Sequence, residues 1–338
     1  MAPTKNQMRL DSFIAQRVQE TGFGGEGGRR MDSSEAMTFA RELLKVRARM
    51  FEVQFPELKA LSLIPPNTDV DDTDEAYTYQ TVTETGRAEL MADYSNTAPL
   101  ADVHADEATP QKIKPIVNAY RYTFMEGRRS AKLGKELPMR RARAARKAIA
   151  QEVDRVFAYG DTTKTGVTLY GLLNLSGTET YTTPNGAGGV KTWGGTNGKT
   201  PDEIITDLTA PLRQVIVNSN GIEECDTWIL PLSSYEYIRD TRMGQNSDVS
   251  ILQHFQGKRP TVQVIPWYRA EAAPASEWTG KRAMAYKRDP DKLDRLLPVE
   301  FEQLTPDVTA LMTTTVCHAR IGGINNYLPK SIIYMDGI

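Results

Sequence analysis

The residues from Pro138 to Tyr159 predict one long helix with a single apolar side, and this element constrains the fold more than any other. Apolar residues recur at steps of three and four: Met139, Ala142, Ala145, Ile149, Val153 and Val156. Pro138 suits the first helical turn, and Gly160 suits the position just after the end. At a rise of about 1.5 Å per residue the helix is about 33 Å long, the width of a small domain. The following run, Gly171-Leu-Leu-Asn174, is short and apolar. The stretch therefore predicts a scaffold element and not a catalytic loop.

Composition narrows the class of protein. The 338 residues carry a net charge of −2, so no overall basic field exists to hold nucleic acid. Two cysteines, Cys225 and Cys317, do not suggest a disulfide framework and fit a reduced, intracellular origin. The N-terminal sequence lacks the apolar core of a signal peptide, and no apolar run approaches the ~20 residues needed to span a bilayer. These features predict a soluble protein made in a cytoplasm.

The first 75 residues predict an arm, a helix and an acidic turn. Residues 1–31 contain the run GFGGEGG and are too glycine-rich for a packed core, so a neighbouring chain is the natural support for them. Asp32 and Glu35 form a capping pair that opens a helix to about Met50. The cluster Asp69–Glu75 departs from the calcium-loop pattern, which favours a solvated turn and leaves cation binding open.

Two strand-like limbs follow, near Ala76–Thr83 and Lys112–Phe124, and they predict a protruding two-stranded arm. Aromatic residues alternate in them at strand period: Tyr77 and Tyr79 in the first limb, Tyr120, Tyr122 and Phe124 in the second. The polar, acidic connection from Glu84 to Gln111 is too long for an ordinary turn in a compact domain. Such an arm is unstable alone, so we expect it to lie on another subunit. The hypothesis for the four tyrosines is that they stiffen the arm by cross-strand packing.

The remaining sequence predicts an α+β unit and then long strands. Ser176–Lys199 is expected to be a glycine-rich loop, and Thr200 with Glu203 forms a capping box for a helix that contains Pro211. Residues 201–290 alternate helices and strands, including a buried strand CDTWIL followed by a helix capped by Ser233 or Ser234. The last portion predicts strands at Leu296–Leu304, Val308–Ile321 and Ser331–Met335.

Sequence matches to known catalytic and ligand-binding motifs lack the secondary structure or spacing that those motifs require. No catalytic, cofactor-binding or metal-binding residue is therefore predicted. The glycines from Gly22 to Gly27 match G-x-G-x-x-G, but a helix-like segment precedes them where a strand is required. Gly198-Lys199-Thr200 opens a helix as a phosphate loop does, yet Trp193 occupies the place of the first glycine, so an exposed loop is expected. The three histidines are far apart in sequence, and no Cys/His cluster has zinc spacing. The chain is therefore not expected to be an enzyme.

A basic run lies on one side of the long helix. Arg140, Arg143 and Lys147 share a face apart from the apolar stripe. This face could approach nucleic acid, or it could be solvated or paired at an interface, and the sequence leaves these alternatives open.

The order of these parts resembles the tailed-phage major capsid proteins of the Hong Kong ninety-seven type, an α+β fold. Local similarities are the helix leading to Gly171–Asn174, the segment TWILPLSSYEYI and the ending VCHARIGGINNYLPKSIIYMDGI. The resemblance implies an N-terminal arm (1–31), an extended loop (76–124), an axial domain (201–290) and a peripheral domain. The peripheral domain comprises 32–75, 125–200 and 291–338, with the long helix as its spine.

The resemblance further implies a structural protomer that assembles through pentamers and hexamers into an icosahedral virion shell around double-stranded DNA, built in the host bacterial cytoplasm. Arg140, Arg143 and Lys147 would then face the packaged DNA and contact it weakly. Encapsulins share the fold and are the alternative; an enzyme is the second alternative, without motif support. Some family members crosslink subunits through a loop lysine, but Ala76–Gln111 contains none, so a non-covalent shell is expected. The thirty residues before the first capped helix leave little room for a scaffolding region, so scaffolding is expected to be a separate protein or absent. The resemblance also allows separate portal and decoration proteins.

Overall fold

The computed structural model describes residues 55–86, 88, 100–132, 137–161, 167–195, 197–244, 247–271 and 280–338. The predicted arm, the helix predicted from Asp32 to Met50, and residues 87 and 89–99 in the tip of the extended loop lie outside these residues. In the described part, the strands are β1 Ala76–Tyr77, β2 Gln80–Thr85, β3 Asp102–Glu107, β4 Gln111–Lys112, β5 Lys114–Thr123, β6 Glu179–Thr182, β7 Thr227–Pro231, β8 Gln263–Trp267, β9 Arg282–Tyr286, β10 Leu293–Leu296, β11 Val299–Gln303, β12 Asp307–Thr309, β13 Met312–Ile321, β14 Gly323–Asn326 and β15 Ile332–Asp336. The helices are α1 Ala60–Leu63, α2 Phe124–Lys132, α3 Leu137–Tyr159, α4 Pro201–Asn218, α5 Leu232–Asp240 and α6 Ile251–Lys258, with short 3₁₀ turns at Tyr268–Ala270 and Pro329–Ser331.

The predicted long helix is confirmed as α3. Ala145, Ile149, Val153 and Val156 are buried in the larger hydrophobic core, which also includes residues of β13. The stripe is shorter than predicted, because Met139 is 54% exposed and burial begins at Ala145.

The end of α3 is joined to the predicted hand-over segment by backbone contacts. The amides of Leu172 and Leu173 donate to the carbonyls of Phe157 (2.7 Å) and Ala158 (3.0 Å), which lie in the last helical turn and lack intrahelical partners. Gly160 has φ +73°, so it ends the helix as predicted. A Cβ on Gly171 would lie 2.3 Å from the Gly160 nitrogen, so only glycine permits this approach.

A four-stranded sheet packs against α3, with β13 at its centre. β5 pairs with the whole of β13, from Lys114 opposite Ile321 to Thr123 opposite Met312. β11 and β12 pair with different parts of β13, so they share its other edge.

Two strand predictions in this region are wrong. The two limbs do not form one arm beyond the short β1–β4 pair, because the second limb, as β5, pairs with β13. The partner of β2 is β3, which lies in the predicted polar tip. The single strand predicted over Val308–Ile321 is a hairpin, since Ala310 (φ +53°) reverses the chain between β12 and β13. The strand predicted at Leu296–Leu304 is present as the shorter β11, Val299–Gln303, while Leu296 is the last residue of β10.

A second sheet has five strands in the order β6-β15-β9-β7-β8. It is buried on both faces, which explains why its central strands are apolar without alternation. One face belongs to the core of α3 through Ile229, Met284, Tyr286, Ile332 and Tyr334. The opposite face belongs to the core under α4 through Trp228, Leu230, Ala283, Ala285 and Ile333. Strands β6 and β15 come from segments predicted to be peripheral, while the predicted domain boundaries themselves stay a prediction.

The predicted axial unit and the loop predicted just before it are close to expectation, with two corrections. The capping box of Thr200 and Glu203 is confirmed, as is the buried strand, now β7. The loop predicted over Ser176–Lys199 contains β6. Neither Ser233 nor Ser234 caps α5, whose N-cap is Pro231; the amide of Ser233 instead donates to the carboxylate of Glu271.

We expect Gly171→Ala to destabilise the fold by about 3 kcal/mol, because the new methyl group collides with backbone atoms that cannot move independently. Thermal and urea unfolding of the unassembled chain measure the effect. Gly257→Ala in α6 is the matched control, since a Cβ there meets nothing within 4 Å and alanine favours the helix. Equal stability of the two variants would contradict the packing described.

Candidate assembly surfaces

A two-stranded ribbon formed by β2 and β3, here called the extended ribbon, is exposed along its whole length. All twelve of its residues are exposed. The register places Val82 opposite Ala105 and Glu84 opposite Val103. Because side chains alternate along a strand, Val82, Val103 and Ala105 share one face, with Glu84 and Glu107 at its two ends. The other face carries threonines, His104 and two aspartates.

Such a ribbon has no core of its own. Val82 and Val103 are 59% and 62% exposed. A two-stranded hairpin is marginally stable in water unless further strands or another surface cover it. The geometry therefore supports the prediction that the extended loop lies on a neighbour.

The root of the loop is held by a cluster around Asp294, here called the root cluster. The Tyr327 hydroxyl donates to Asp294 (2.7 Å) and lies 3.3 Å from the hydroxyl of Tyr77. Tyr79 donates to the carbonyl of Asn326 (3.0 Å), and its ring packs edge-on against that of Tyr327 at 4.5 Å. The loop thus leaves the body of the protein through contacts with Asn326 at the end of β14 and with Tyr327, which in turn binds Asp294 of β10.

The carboxyl group of Asp294 is buried and accepts hydrogen bonds from three side chains. Asn67 and Asn325 each donate an amide hydrogen bond to it, at 2.6 and 2.8 Å. Burial raises the pKa of Asp294, and the hydrogen bonds from Tyr327, Asn67 and Asn325 oppose that rise. Burial, followed by hydrogen bonding to Tyr77 and Asp294, raises the pKa of Tyr327, so this hydroxyl stays protonated as a donor.

The proposed partnership among the aromatic loop residues is wrong within the chain. Tyr77 and Tyr79 contact Tyr327, whereas Tyr120 and Tyr122 lie opposite Thr315 and Thr313 of β13. Phe124 begins α2, where the Arg128 guanidinium lies 4.3 Å from its ring centre. The first pair of tyrosines therefore packs at the root of the loop and the second pair lies in the sheet of β13, and a role for any of them between subunits stays a prediction.

A surface rich in exposed basic residues lies on α2 and the first half of α3, and it is here called the basic helical surface. Its exposed basic residues are Arg128, Arg129, Lys132, Arg140, Arg143 and Arg146. Lys147, predicted with Arg140 and Arg143, is half-buried. Arg141 is instead paired with Glu126 (3.1 Å) and donates to the Arg121 carbonyl. Hydrogen bonding from Arg141 lowers the pKa of Glu126 to about 2.

Exposed apolar side chains adjoin the basic helical surface. Phe124, Met125 and Met139 are about half exposed on α2 and α3. The Phe124 amide donates to the carbonyl of Leu311 (2.8 Å), which brings the β12–β13 turn beside the start of α2. Leu311 is 72% exposed. The surface is therefore both cationic and apolar.

Residues considered for chemistry do not form a site in the described part of the chain. Lys199, expected in an exposed loop, is buried and pairs with Asp207 (2.6 Å), which also accepts a hydrogen bond from the Trp193 indole. The prediction of exposure was wrong because a buried carboxylate needs a counter-charge. His318 lies near Glu302 (3.4 Å), whereas His104 and His254 belong to β3 and α6.

The part of the chain that the structure describes has neither a cluster of metal ligands nor a membrane-spanning helix. No group of three or more histidine, cysteine, aspartate or glutamate side chains there could hold a metal ion. No helix in that part of the chain is long and apolar enough to cross a membrane. The G-x-G-x-x-G match lies outside the described residues.

Comparison with known families decides the class of the protein. The profile of the major capsid protein family matches residues 86–338, well over half of the chain. The chain belongs to the major capsid protein family. It is a structural subunit of a virion shell that is built from copies of the same chain. No curated protein sequence matches it.

Solved structures show the same capsid fold at low sequence identity. The capsid of Myoviridae phage XM1 is similar with a TM-score of 0.75 at 17% identity, covering 93% of this capsid protein and 100% of that chain. A chain of Mycobacterium phage Adephagia gives 0.58 at 12% identity, with coverages of 91% and 99%. The SrpI encapsulin from Synechococcus elongatus PCC 7942 gives 0.52 at 11% identity, with coverages of 89% and 95%. The phage major-capsid fold that encapsulins share is thus confirmed.

Sequence reasoning missed the root cluster, although the sequence contains a signal for it. Asp294 and Arg295 interrupt the apolar run Leu293–Leu296 in a strand that the structure buries. A charged pair in such a run must find partners, and Arg295 donates to the carbonyl of Ile64 (2.8 Å) while Asp294 binds Tyr327. The identity of those partners, more than 200 residues away for Ile64 and Asn67, could not be inferred.

We expect Tyr327→Phe to lower the stability of the capsid protein by about 1–2 kcal/mol, because Asp294 loses a donor while it stays buried. Thermal unfolding measures the loss, and limited proteolysis should show faster cleavage in the extended loop. Tyr235→Phe, on α5 and outside the cluster, is the control. Unchanged cleavage of the loop in Tyr327→Phe would argue against the root cluster as its anchor.

Proposed function

We propose that this capsid protein forms an icosahedral shell of the Hong Kong ninety-seven type, assembled from pentamers and hexamers around double-stranded DNA. The single observation that carries the proposal is the match to the XM1 phage capsid over the whole of that chain. The exposed ribbon supports it, because a strand pair without a core suits a subunit that is completed by its neighbours. Head-to-tail contacts of this kind close into rings.

An encapsulin-like compartment remains the second candidate. It has specific support in the similarity to the SrpI encapsulin, whose TM-score of 0.52 is below the 0.75 for the phage capsid. The predicted feature that separates the two classes, the glycine-rich arm 1–31, lies outside the described residues. A neighbouring gene for a cargo protein with a targeting tail would favour the compartment.

The proposed contents of the shell are consistent with the net charge of the chain. A net charge of −2 suits a wall that does not bind its genome tightly. Weak contact of Arg140, Arg143 and Lys147 with packaged DNA stays a prediction. Separate scaffolding, portal and decoration proteins, and assembly in the bacterial cytoplasm, are parts of the same proposal.

Electron microscopy of particles made from this chain tests the proposal directly. We expect uniform hollow or DNA-filled shells with fivefold and sixfold capsomers. DNA inside particles from infected cells separates a phage shell from a cargo compartment, whereas small discrete particles would contradict both.

Denaturing gel electrophoresis of the same particles tests whether their subunits are covalently crosslinked. We expect a single band at the mass of the monomer, 37.7 kDa, because no lysine lies between Ala76 and Gln111. A ladder of covalent multimers that resists reduction would show that the shell is crosslinked.

A further inference from the structure

Three asparagines of the chain are followed directly by glycine: Asn185, Asn197 and Asn220. Such a pair is chemically labile, because the glycine amide nitrogen can attack the asparagine side-chain carbonyl and glycine has no side chain to hinder the approach. All three asparagines are exposed. The sequence alone therefore does not distinguish them, and the backbone around each pair decides which of them reacts.

The reaction is a deamidation in which water is the only other reactant. The glycine nitrogen bonds to the side-chain carbon Cγ of asparagine, and its proton leaves with the amide group as ammonia. Water then opens the resulting cyclic imide at either carbonyl, which gives aspartate or isoaspartate. In isoaspartate the main chain runs through the side chain and is one carbon longer. A glycine amide that donates a hydrogen bond resists the first step, because the nitrogen must give up that bond before it can attack.

The pair at Asn220 is held in the turn that ends α4. The amide of Gly221 donates to the carbonyl of Ile216 (2.8 Å), and the amide of Asn220 donates to the carbonyl of Val217 (3.1 Å). Asn220 has φ +53°, so the two bonds form the closed turn that is typical of helix C-termini. The attacking nitrogen is therefore engaged in helix capping.

The pair at Asn185 is held in a second closed turn. The amide of Gly186 donates to the carbonyl of Val190 (2.9 Å). The next amide, that of Ala187, donates to the carboxylate of Glu203 (2.8 Å), which ties the turn to the start of α4. Opening this pair requires the loss of a short hydrogen bond beside an anchored residue.

The pair at Asn197 lies in the exposed middle of a loop whose ends, Trp193 and Lys199, are buried. The amide of Gly198 donates to the carbonyl of Gly195 at 3.2 Å, which is the long end of the range for such bonds. Gly195 has φ +103°, a conformation that glycine adopts without strain and leaves easily. The attacking nitrogen is thus held most weakly at this pair.

We propose that Asn197 deamidates spontaneously in the folded chain, whereas the fold protects Asn185 and Asn220. The products are aspartate and isoaspartate at position 197. This chemistry does not depend on assembly, but it matters for a capsid protein because a virion cannot replace its subunits. Converted subunits therefore accumulate as a particle ages.

Isoaspartate at this position disturbs a buried ion pair. The Lys199 ammonium donates to Asp207 (2.6 Å), and the Lys199 amide donates to the carbonyl of Thr192 (3.1 Å). An additional main-chain carbon between Asn197 and Gly198 displaces the backbone that holds Lys199 in place. A buried ion pair that loses its geometry destabilises the fold, so we expect an aged chain to melt at a lower temperature than a fresh one.

Peptide mapping by mass spectrometry, with fragmentation that distinguishes isoaspartate from aspartate, tests the proposal. In the full-length chain kept folded in neutral buffer, Asn197 should convert at least about fivefold faster than Asn185 or Asn220, because its glycine amide opens most often. In the chain unfolded by urea, the three rates should agree within about threefold, since the protecting bonds are then lost. Equal rates in the folded chain, or no conversion at Asn197, would overturn the proposal.

Glutamine variants test the effect on stability. Asn197→Gln should keep its melting temperature during ageing, because the longer side chain forms the cyclic imide much more slowly. Asn185→Gln is the matched control and should lose stability as the wild-type chain does. If Asn197→Gln lost stability as fast as the wild-type chain, the proposed effect on Lys199 would be wrong. All of these measurements use the chain itself, so either result leaves the shell function intact.

Discussion

The contact between the end of α3 and the segment Gly171–Leu173 organises the rest of the protein. A helix that ends inside a protein leaves carbonyl groups that need donors, and here the amides of Leu172 and Leu173 supply them. The approach is so close that neither Gly160 nor Gly171 tolerates a Cβ. The Tyr334 hydroxyl donates to the carbonyl of Leu172, which ties β15 and its sheet to the same point. A single backbone junction thus fixes the long helix relative to the five-stranded sheet.

That sheet in turn separates two hydrophobic cores, and this arrangement leaves the loops free for other copies. Neighbouring residues of β7 enter different cores, Ile229 towards α3 and Trp228 towards α4. Because the sheet, α3 and the root cluster of Asp294 hold the body together, the extended ribbon contributes no buried residue to it. The chain therefore has two well-packed cores at its centre and an exposed ribbon that only another surface could cover, which suits a subunit of a shell. The paired but partly exposed Glu126 and Arg141 stabilise the junction before α3 by a modest amount, since surface ion pairs are screened by water.

Local rules predicted those elements whose neighbours in sequence are also their partners. The spacing of Ala145, Ile149 and Val153 sufficed for α3, and Thr200 with Glu203 sufficed for the start of α4. Strand pairing failed where two partners were possible. β5 has the alternation expected of a loop limb, yet its ladder partner is β13, about 200 residues later. Lys199 and Trp193 looked like parts of a loop because their partner, Asp207, is hidden on the first turns of a helix.

The sequence by itself determined the class of fold, the long helix, the start of α4 at Thr200 and the positions of the acidic and basic segments. These features depend on periodicity, capping and charge, which act over a few residues. Tertiary structure alone decided that β2 pairs with β3, that Asp294 anchors the loop root and that the five-stranded sheet draws strands from distant segments. The physical reason is that ladder pairing and buried polar networks join residues far apart in the chain. Many registers are compatible with one alternating pattern, and only packing of the whole chain selects among them.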